Sequence, residues 1–114
     1  IGKAAARQLA QAGFRLLFKL PNFCGKPYSI CKELTETYHV ECTPVACDIS
    51  DHAQVAAMFQ QIEDSHDAID VLINNAGISH IGLLQDMSID EWNRVINTNL
   101  TSVFSCCKYA IRIW

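Results

Sequence analysis

Apolar and polar positions change their spacing several times along the chain, and these changes predict alternating helices and strands. Apolar residues recur every three or four positions in four segments, which is typical of amphipathic helices. These segments are residues 1–12, 28–38, 51–64 and 89–114. Short apolar runs bounded by turn residues predict strands at 14–20, 40–47 and 69–75. The resulting order predicts an α/β fold built on a parallel sheet.

The strand predicted at 69–75 ends in polar residues that packing alone does not explain. Asn74 and Asn75 close an apolar run, and Ala76 and Gly77 follow as a small-residue turn. Two amide side chains at the end of a buried strand cost desolvation energy unless they are hydrogen-bonded. Ligands bind at the carboxyl ends of the strands in open α/β sheets. The segment is therefore a candidate binding site, with the alternative that both amides only tie the turn.

The sequence of residues 69–77, Ile-Asp-Val-Leu-Ile-Asn-Asn-Ala-Gly, resembles the Asn-Asn-Ala-Gly signature of the short-chain dehydrogenase/reductase family. Nearly the whole chain is similar to the bacterial 3-oxoacyl-acyl-carrier-protein reductases of that family. The resemblance implies a Rossmann-type, doubly wound parallel sheet. It also implies a single, partial NAD(P)-binding domain over residues 1–114, which lacks the family's first strand and C-terminal half.

The activity that the resemblance implies is hydride transfer from nicotinamide to a carbonyl. The expected substrate is a 3-oxoacyl thioester, as a small molecule or bound to acyl-carrier protein. Another small ketone or aldehyde, such as the aminopentanone group on modified elongation factor P, is the alternative. The resemblance also implies a homo-tetramer for the intact protein.

The same resemblance assigns most of the expected cofactor contacts. Gly2 matches the last glycine of the family's phosphate loop, where glycines let the backbone approach a pyrophosphate at a helix N-terminus. Asp48, followed by Ile49, matches an aspartate that meets the adenine amino group. Capping of the next helix is the alternative role for Asp48. The remaining expected contacts are the signature residues Asn74, Asn75, Ala76 and Gly77.

The loop after the strand at 14–20 favours NADP(H) over NAD(H). In dinucleotide folds, an acid about 20 residues after the glycines holds the ribose of NAD, but residues 20–22 include no acid. Lys19 and Lys26 flank the loop instead, and a cation suits the 2′-phosphate of NADP. The alternative, that both lysines are ordinary solvated residues, stays open.

A polar residue interrupts the apolar stripe of the last predicted helix. The stripe consists of Trp92, Val95, Ile96, Leu100, Val103 and Cys107. Asn99 falls inside it, and a buried amide needs a hydrogen-bond partner. Asn99 matches the asparagine of the family's catalytic tetrad, whose implied role is to kink the helix and hold a water in the proton relay. A self-satisfied core asparagine is the alternative.

The other catalytic groups of the family have no counterpart in this sequence. The family uses a serine to polarise the carbonyl and a Tyr-x-x-x-Lys pair to supply the proton. Tyr28 and Lys32 have that spacing, but no serine strand precedes them, so we interpret the match as chance. We therefore expect a fragment that is inactive alone. A non-catalytic nucleotide-binding remnant, or a truncated pseudoenzyme, is the alternative.

Composition and cysteine spacing limit the binding partners and the cellular compartment that we expect for the protein. The chain has 114 residues, half of them hydrophobic, and a net charge of −3, so we expect no nucleic-acid or membrane partner. No apolar run approaches the roughly 18 residues of a membrane span, and no signal peptide is visible. None of the six cysteines forms a Cys-x-x-Cys pair. This spacing argues against a zinc site. Since no secretion signal is visible, we expect reduced thiols in a cytoplasmic protein.

Overall fold

The computed structural model describes residues 1–20 and 28–114, with Tyr28 described by its backbone alone. The loop expected at residues 21–27, which includes Lys26, lies outside the described residues. The chain divides into two compact units, Ile1–Cys47 and Asp48–Trp114. Each unit has buried residues of its own.

The first unit is a strand-helix-strand motif preceded by a helix. Its elements are α1 at Gly2–Gln11, β1 at Leu16–Leu20, α2 at Tyr28–Tyr38 and β2 at Cys42–Ala46. The two strands pair in parallel, with Leu16 opposite Cys42 and Leu20 opposite Ala46. Gly13 follows α1 with φ of +89°, a conformation that glycine adopts without strain. The helices and strands predicted for this part of the chain are confirmed.

The core of the first unit is built by α1, α2 and β1. Its buried residues are Ala6, Ala10, Leu16, Ile30, Cys31 and Leu34. Leu34 is 0% exposed, and Cys42 of β2 packs against the same cluster. At the surface, Arg7 donates to both Glu33 oxygens, at 2.9 and 3.2 Å, and so joins α1 to α2. This hydrogen bonding by Arg7 lowers the pKa of Glu33.

The second unit consists of helices and a long irregular segment. Its first helix, α3, spans His52–Ser65, and a short 3₁₀ turn occupies Leu84–Asp86. A long helix follows in four parts: α4 at Ile89–Ile96, a π-helical turn at Asn97–Thr101, α5 at Ser102–Ala110 and a 3₁₀ turn at Ile111–Ile113. α3 packs against α5. Within the described ranges, no helix has the length and apolarity to cross a membrane.

The strand predicted at residues 69–75 is wrong for this structure. The segment belongs to no strand ladder among the described residues. Val71 and Ile73 are 47% and 50% exposed rather than buried. A strand depends on a neighbour that pairs with its backbone, and the described strands β1 and β2 pair with each other. The apolar run therefore has no hydrogen-bonded strand partner in the part of the chain that the structure describes.

The buried face of the last helix also differs from the predicted apolar stripe. Trp92 and Leu100 are 50% and 64% exposed. The side chains that α5 buries are smaller: Ser102, Ser105, Cys106 and Ala110. Trp92 precedes the π-helical turn, but the turn changes which positions of α5 are buried, because its i→i+5 hydrogen bonding adds a residue to one turn. Every later position is thereby rotated about the helix axis.

A capping box begins α4. Ser88 Oγ accepts the Glu91 N–H at 3.1 Å, and the Glu91 carboxylate accepts the Ser88 N–H at 2.8 Å. The bond from the Ser88 backbone lowers the pKa of Glu91 most strongly, and the side-chain contact with Ser88 lowers it further. The ionised carboxylate is thus the form that the helix terminus favours.

We expect Leu34→Ala to lower the free energy of unfolding by about 2–5 kcal/mol, because it removes a fully buried side chain and leaves a cavity. Thr35→Ala, at an exposed position of the same helix, should change it by less than about 0.5 kcal/mol. Urea denaturation followed by circular dichroism measures both values. Equal losses in the two variants would contradict the placement of Leu34 in the core of the first unit.

We also expect the capping box to make α4 sensitive to acid. Because the folded pKa of Glu91 is depressed, its stabilising effect is fully present above the unfolded value of about 4.3. The effect is lost as pH falls through the lower folded pKa. Glu91→Gln should therefore reduce the loss of helix signal on titration from neutral pH to strong acid. Glu63→Gln, a change in α3, is the control, and an unchanged acid profile in Glu91→Gln would refute the prediction.

Candidate functional site

Two of the expected cofactor residues lie in the first unit. Gly2 begins α1, whose cap residue Ile1 makes no side-chain hydrogen bond and whose first turn carries no acidic side chain. The first N–H groups of a helix have no partner within it, and the helix dipole favours an anion there. Lys19 lies in β1 opposite Val45, next to the strand's last residue, and is half-buried. Both positions are compatible with phosphate groups.

Asp48 and Ile49 lie just before α3 in the second unit. One oxygen of the Asp48 carboxylate accepts the backbone N–H and the hydroxyl of Ser50, at 2.9 and 2.7 Å. The Asp48 N–H donates to the Gln54 side chain at 3.0 Å. The cap of α3 is Asp51, which accepts two N–H groups of the first turn. Helix capping, the alternative role considered for Asp48, is therefore performed by Asp51.

The signature residues 74–77 lie at the end of the apolar segment, which joins no strand ladder among the described residues, and all four are exposed. Asn74 Nδ2 donates to Cys107 Sγ at 3.6 Å, which ties this part of the chain to α5. The Asn75 N–H donates to the Ile73 carbonyl at 3.2 Å, closing a tight turn. The desolvation cost that the sequence suggested for these amides does not arise, because both are exposed.

Asn99 holds the chain immediately after the signature through two hydrogen bonds. Its Oδ1 accepts the Ile78 N–H at 2.8 Å, and its Nδ2 donates to the Ile78 carbonyl at 2.7 Å. One amide side chain thus satisfies both backbone groups of one residue. Asn99 is exposed rather than buried in an apolar stripe, but the hydrogen-bond partner that the sequence analysis required is present.

Two neighbouring features accommodate this clamp, the Asn99–Ile78 hydrogen-bond pair. The helix is wound as a π-helix over Asn97–Thr101, the turn that contains Asn99, and such turns are frequent at functional sites. A Cβ added to Gly77 would lie 3.4 Å from Asn99 Oδ1, so the side chain approaches the backbone of Gly77 closely. The contribution of Ile78 was missed by the sequence analysis, since every residue carries the same backbone groups and no side-chain pattern marks it.

The whole chain, residues 1–114, matches the family model described as short chain dehydrogenase. The chain belongs to the short-chain dehydrogenase family. A 3-oxoacyl-acyl-carrier-protein reductase FabG of Staphylococcus aureus (strain Mu50) is 33% identical over 110 residues, which is 96% of this chain and 44% of the relative. The FabG of Chlamydia pneumoniae is 46% identical over 65 residues, 57% of this chain and 26% of the relative. The chain therefore spans less than half the length of these curated relatives.

Solved structures of the family share the fold of this short-chain dehydrogenase chain. A metagenomic short-chain oxidoreductase in complex with NADP has a TM-score of 0.92 at 28% identity, covering 98% of this chain and 50% of the other. An actinorhodin polyketide ketoreductase with NADPH has a TM-score of 0.87 at 28% identity, covering 97% and 42%. An alcohol dehydrogenase from Thermococcus sibiricus complexed with 5-hydroxy-NADP has a TM-score of 0.90 at 25% identity, covering 97% and 47%. The incomplete Rossmann-type α/β fold is thereby confirmed.

We expect Asn99→Ala to release the backbone at Ile78. Removing the amide deletes both hydrogen bonds, and the free energy of unfolding should fall by about 1–2 kcal/mol. The Ile78 amide proton should exchange with solvent roughly tenfold faster or more, because its acceptor is gone. Hydrogen exchange followed by nuclear magnetic resonance measures this effect at one residue.

Asn97→Ala is the matched control for this prediction. Asn97 has the same side chain, is exposed and lies in the same π-helical turn, but no bond joins its side chain to Ile78. Its Ile78 amide should exchange as in the unmodified chain. If the two variants protected that amide equally, the clamp would not be what holds the segment.

Proposed function

We propose that the chain is the NADP-binding part of a short-chain reductase that acts on a carbonyl group, with a 3-oxoacyl thioester as substrate. The observation that carries the proposal is the clamp by which Asn99 fixes the backbone directly after the signature residues 74–77. The family match over residues 1–114 supports the oxidoreductase class. The FabG relatives support the substrate class, and structures with NADP or NADPH support the cofactor.

Each unit, taken by itself, has residues that the family resemblance assigns to a dinucleotide. In the first unit, the N-terminus of α1 at Gly2 suits the pyrophosphate, and Lys19 suits the 2′-phosphate that distinguishes NADP from NAD. In the second unit, Asp48 and Ile49 would meet the adenine. The exposed signature residues Asn74, Asn75, Ala76 and Gly77 would contact the rest of the cofactor.

NADPH, when bound, supplies the hydride that reduces the carbonyl carbon. The residues of this chain would bind and orient the cofactor, and Asn99 would hold one position of the proton path. An asparagine side chain has two N–H donors and two acceptor lone pairs, and the contacts of Asn99 with Ile78 use one of each. One donor and one acceptor remain for a water molecule. This capacity supports the catalytic role that the family resemblance implies for Asn99.

We further propose one partial dinucleotide-binding domain over residues 1–114, in a whole protein that is a cytoplasmic homo-tetramer. The single family match across both units supports the first point. Cys31, Cys42 and Cys107 are thiols rather than disulfides, which supports a reducing compartment. The name of the FabG relatives supports a substrate carried by acyl-carrier protein.

Fluorescence titration of the purified chain with NADPH, and with NADH beside it, tests the proposal. We expect saturable binding that prefers NADPH. Lys19→Ala should weaken NADPH binding about tenfold, because it removes a cation from the 2′-phosphate, and should leave NADH binding unchanged. Lys32→Ala, which removes an exposed lysine of α2, should change neither affinity.

Two results would contradict this assignment. Equal losses of NADPH and NADH affinity in Lys19→Ala would remove Lys19 from the 2′-phosphate site. No binding of either cofactor would mean that this chain does not form the cofactor site by itself. Turnover of a 3-oxoacyl thioester by the whole protein then separates a reductase from a nucleotide-binding remnant.

A further inference from the structure

Two cysteine side chains meet inside the first unit. Cys31 lies in α2 and Cys42 begins β2, eleven positions apart in sequence. The Cys42 thiol donates to Cys31 Sγ across 2.8 Å. A disulfide bond is about 2.05 Å long, so the two sulfur atoms need to approach by less than about 1 Å to be bonded.

Burial of the two thiols favours an uncharged oxidation product, and the partial exposure of Cys42 leaves it accessible to a small oxidant. Cys31 is 4% exposed and belongs to the apolar core, whereas Cys42 is half-buried at its edge. Burial, followed by the contact with Cys31, raises the pKa of Cys42 to about 12. Ionised thiolates are therefore disfavoured here, and reaction is slow. A disulfide has no charge, so its burial carries no such cost.

We propose that Cys31 and Cys42 are a site of reversible oxidation, at which a peroxide joins α2 to β2 through a disulfide. The peroxide oxidises one sulfur to a sulfenic acid and leaves as water. The second sulfur displaces the hydroxyl group of the sulfenic acid as a second water, and the S–S bond forms. Two S–H bonds and the O–O bond are broken. Each sulfur loses one electron, and the peroxide gains two electrons.

The disulfide would connect two elements of one core. Cys42 lies opposite Leu16 at the start of the parallel pair, and Leu16 and Cys31 belong to the same buried cluster. A cross-link restricts the unfolded chain more than the folded one. The oxidised protein should therefore unfold at a temperature roughly 5 °C or more above that of the reduced protein. The site is independent of the proposed cofactor contacts, so either proposal can fail alone.

Peptide mapping of the full chain after treatment with hydrogen peroxide tests the proposal. Remaining thiols are alkylated in denaturant, and the protein is digested without reduction by trypsin and a glutamate-specific protease. Cys31 then lies in peptide 20–32 with Cys24, and Cys42 in peptide 42–63 with Cys47. We expect these two peptides to be joined, with two hydrogens lost, and to separate on reduction.

Four single variants identify the bonded pair. Cys24→Ser and Cys47→Ser should keep the cross-link, and Cys31→Ser and Cys42→Ser should lose it. A cross-link that survives in Cys31→Ser or Cys42→Ser, or that disappears in either of the other two, would overturn the assignment. The wild-type map does not depend on a variant folding. Full alkylation of all six cysteines after peroxide treatment, with an unchanged circular-dichroism spectrum, would also overturn it.

Discussion

The Asn99 side chain satisfies both backbone groups of Ile78, as neighbouring strands satisfy the backbone groups of residues in a sheet. A peptide group needs a partner for its N–H and another for its carbonyl, and a carboxamide carries both kinds of atom. Among the described residues, no strand is hydrogen-bonded to the apolar run at 69–75. The backbone that follows it is therefore positioned by one side chain from the long helix. The π-helical turn and the bare Gly77 accommodate this contact.

Local features of the fold were predictable from the sequence, whereas features that depend on distant partners were not. The helices and β1 and β2 follow from apolar spacing and from local signals such as Gly13, whose φ is +89°. The run at 69–75 has the composition of a buried strand but pairs with no strand within residues 1–20 and 28–114. Beyond the turn at Asn97–Thr101, the predicted stripe on the last helix was misplaced because apolar spacing assumes a uniform helix, and that turn is not uniform.

The residues of the candidate site also divide into those that the sequence predicted and those that it did not. Asn99 was identified because a polar residue interrupts an apolar pattern. Its side chain bonds both backbone groups of Ile78. The expectation that Asn99 is buried was wrong, because its side chain is exposed. Ile78 could not be found, since it contributes only its backbone. The Cys31–Cys42 contact also has no sequence signal. Their spacing matches no motif, and only the parallel crossover from β1 through α2 to β2 brings the two thiols together.

The clamp also explains why asparagine suits position 99 better than its nearest substitutes. Aspartate offers only acceptors when ionised, so it would bond the Ile78 N–H but repel the Ile78 carbonyl. Serine has a single oxygen and cannot reach both groups at once. Glutamine has the right atoms on a longer stem with more rotamer freedom to lose. Asparagine carries the carboxamide on the shorter stem, meets Ile78 on both sides and still keeps a donor and an acceptor for a water. The structural demand and the catalytic role that we propose for Asn99 are therefore met by the same side chain.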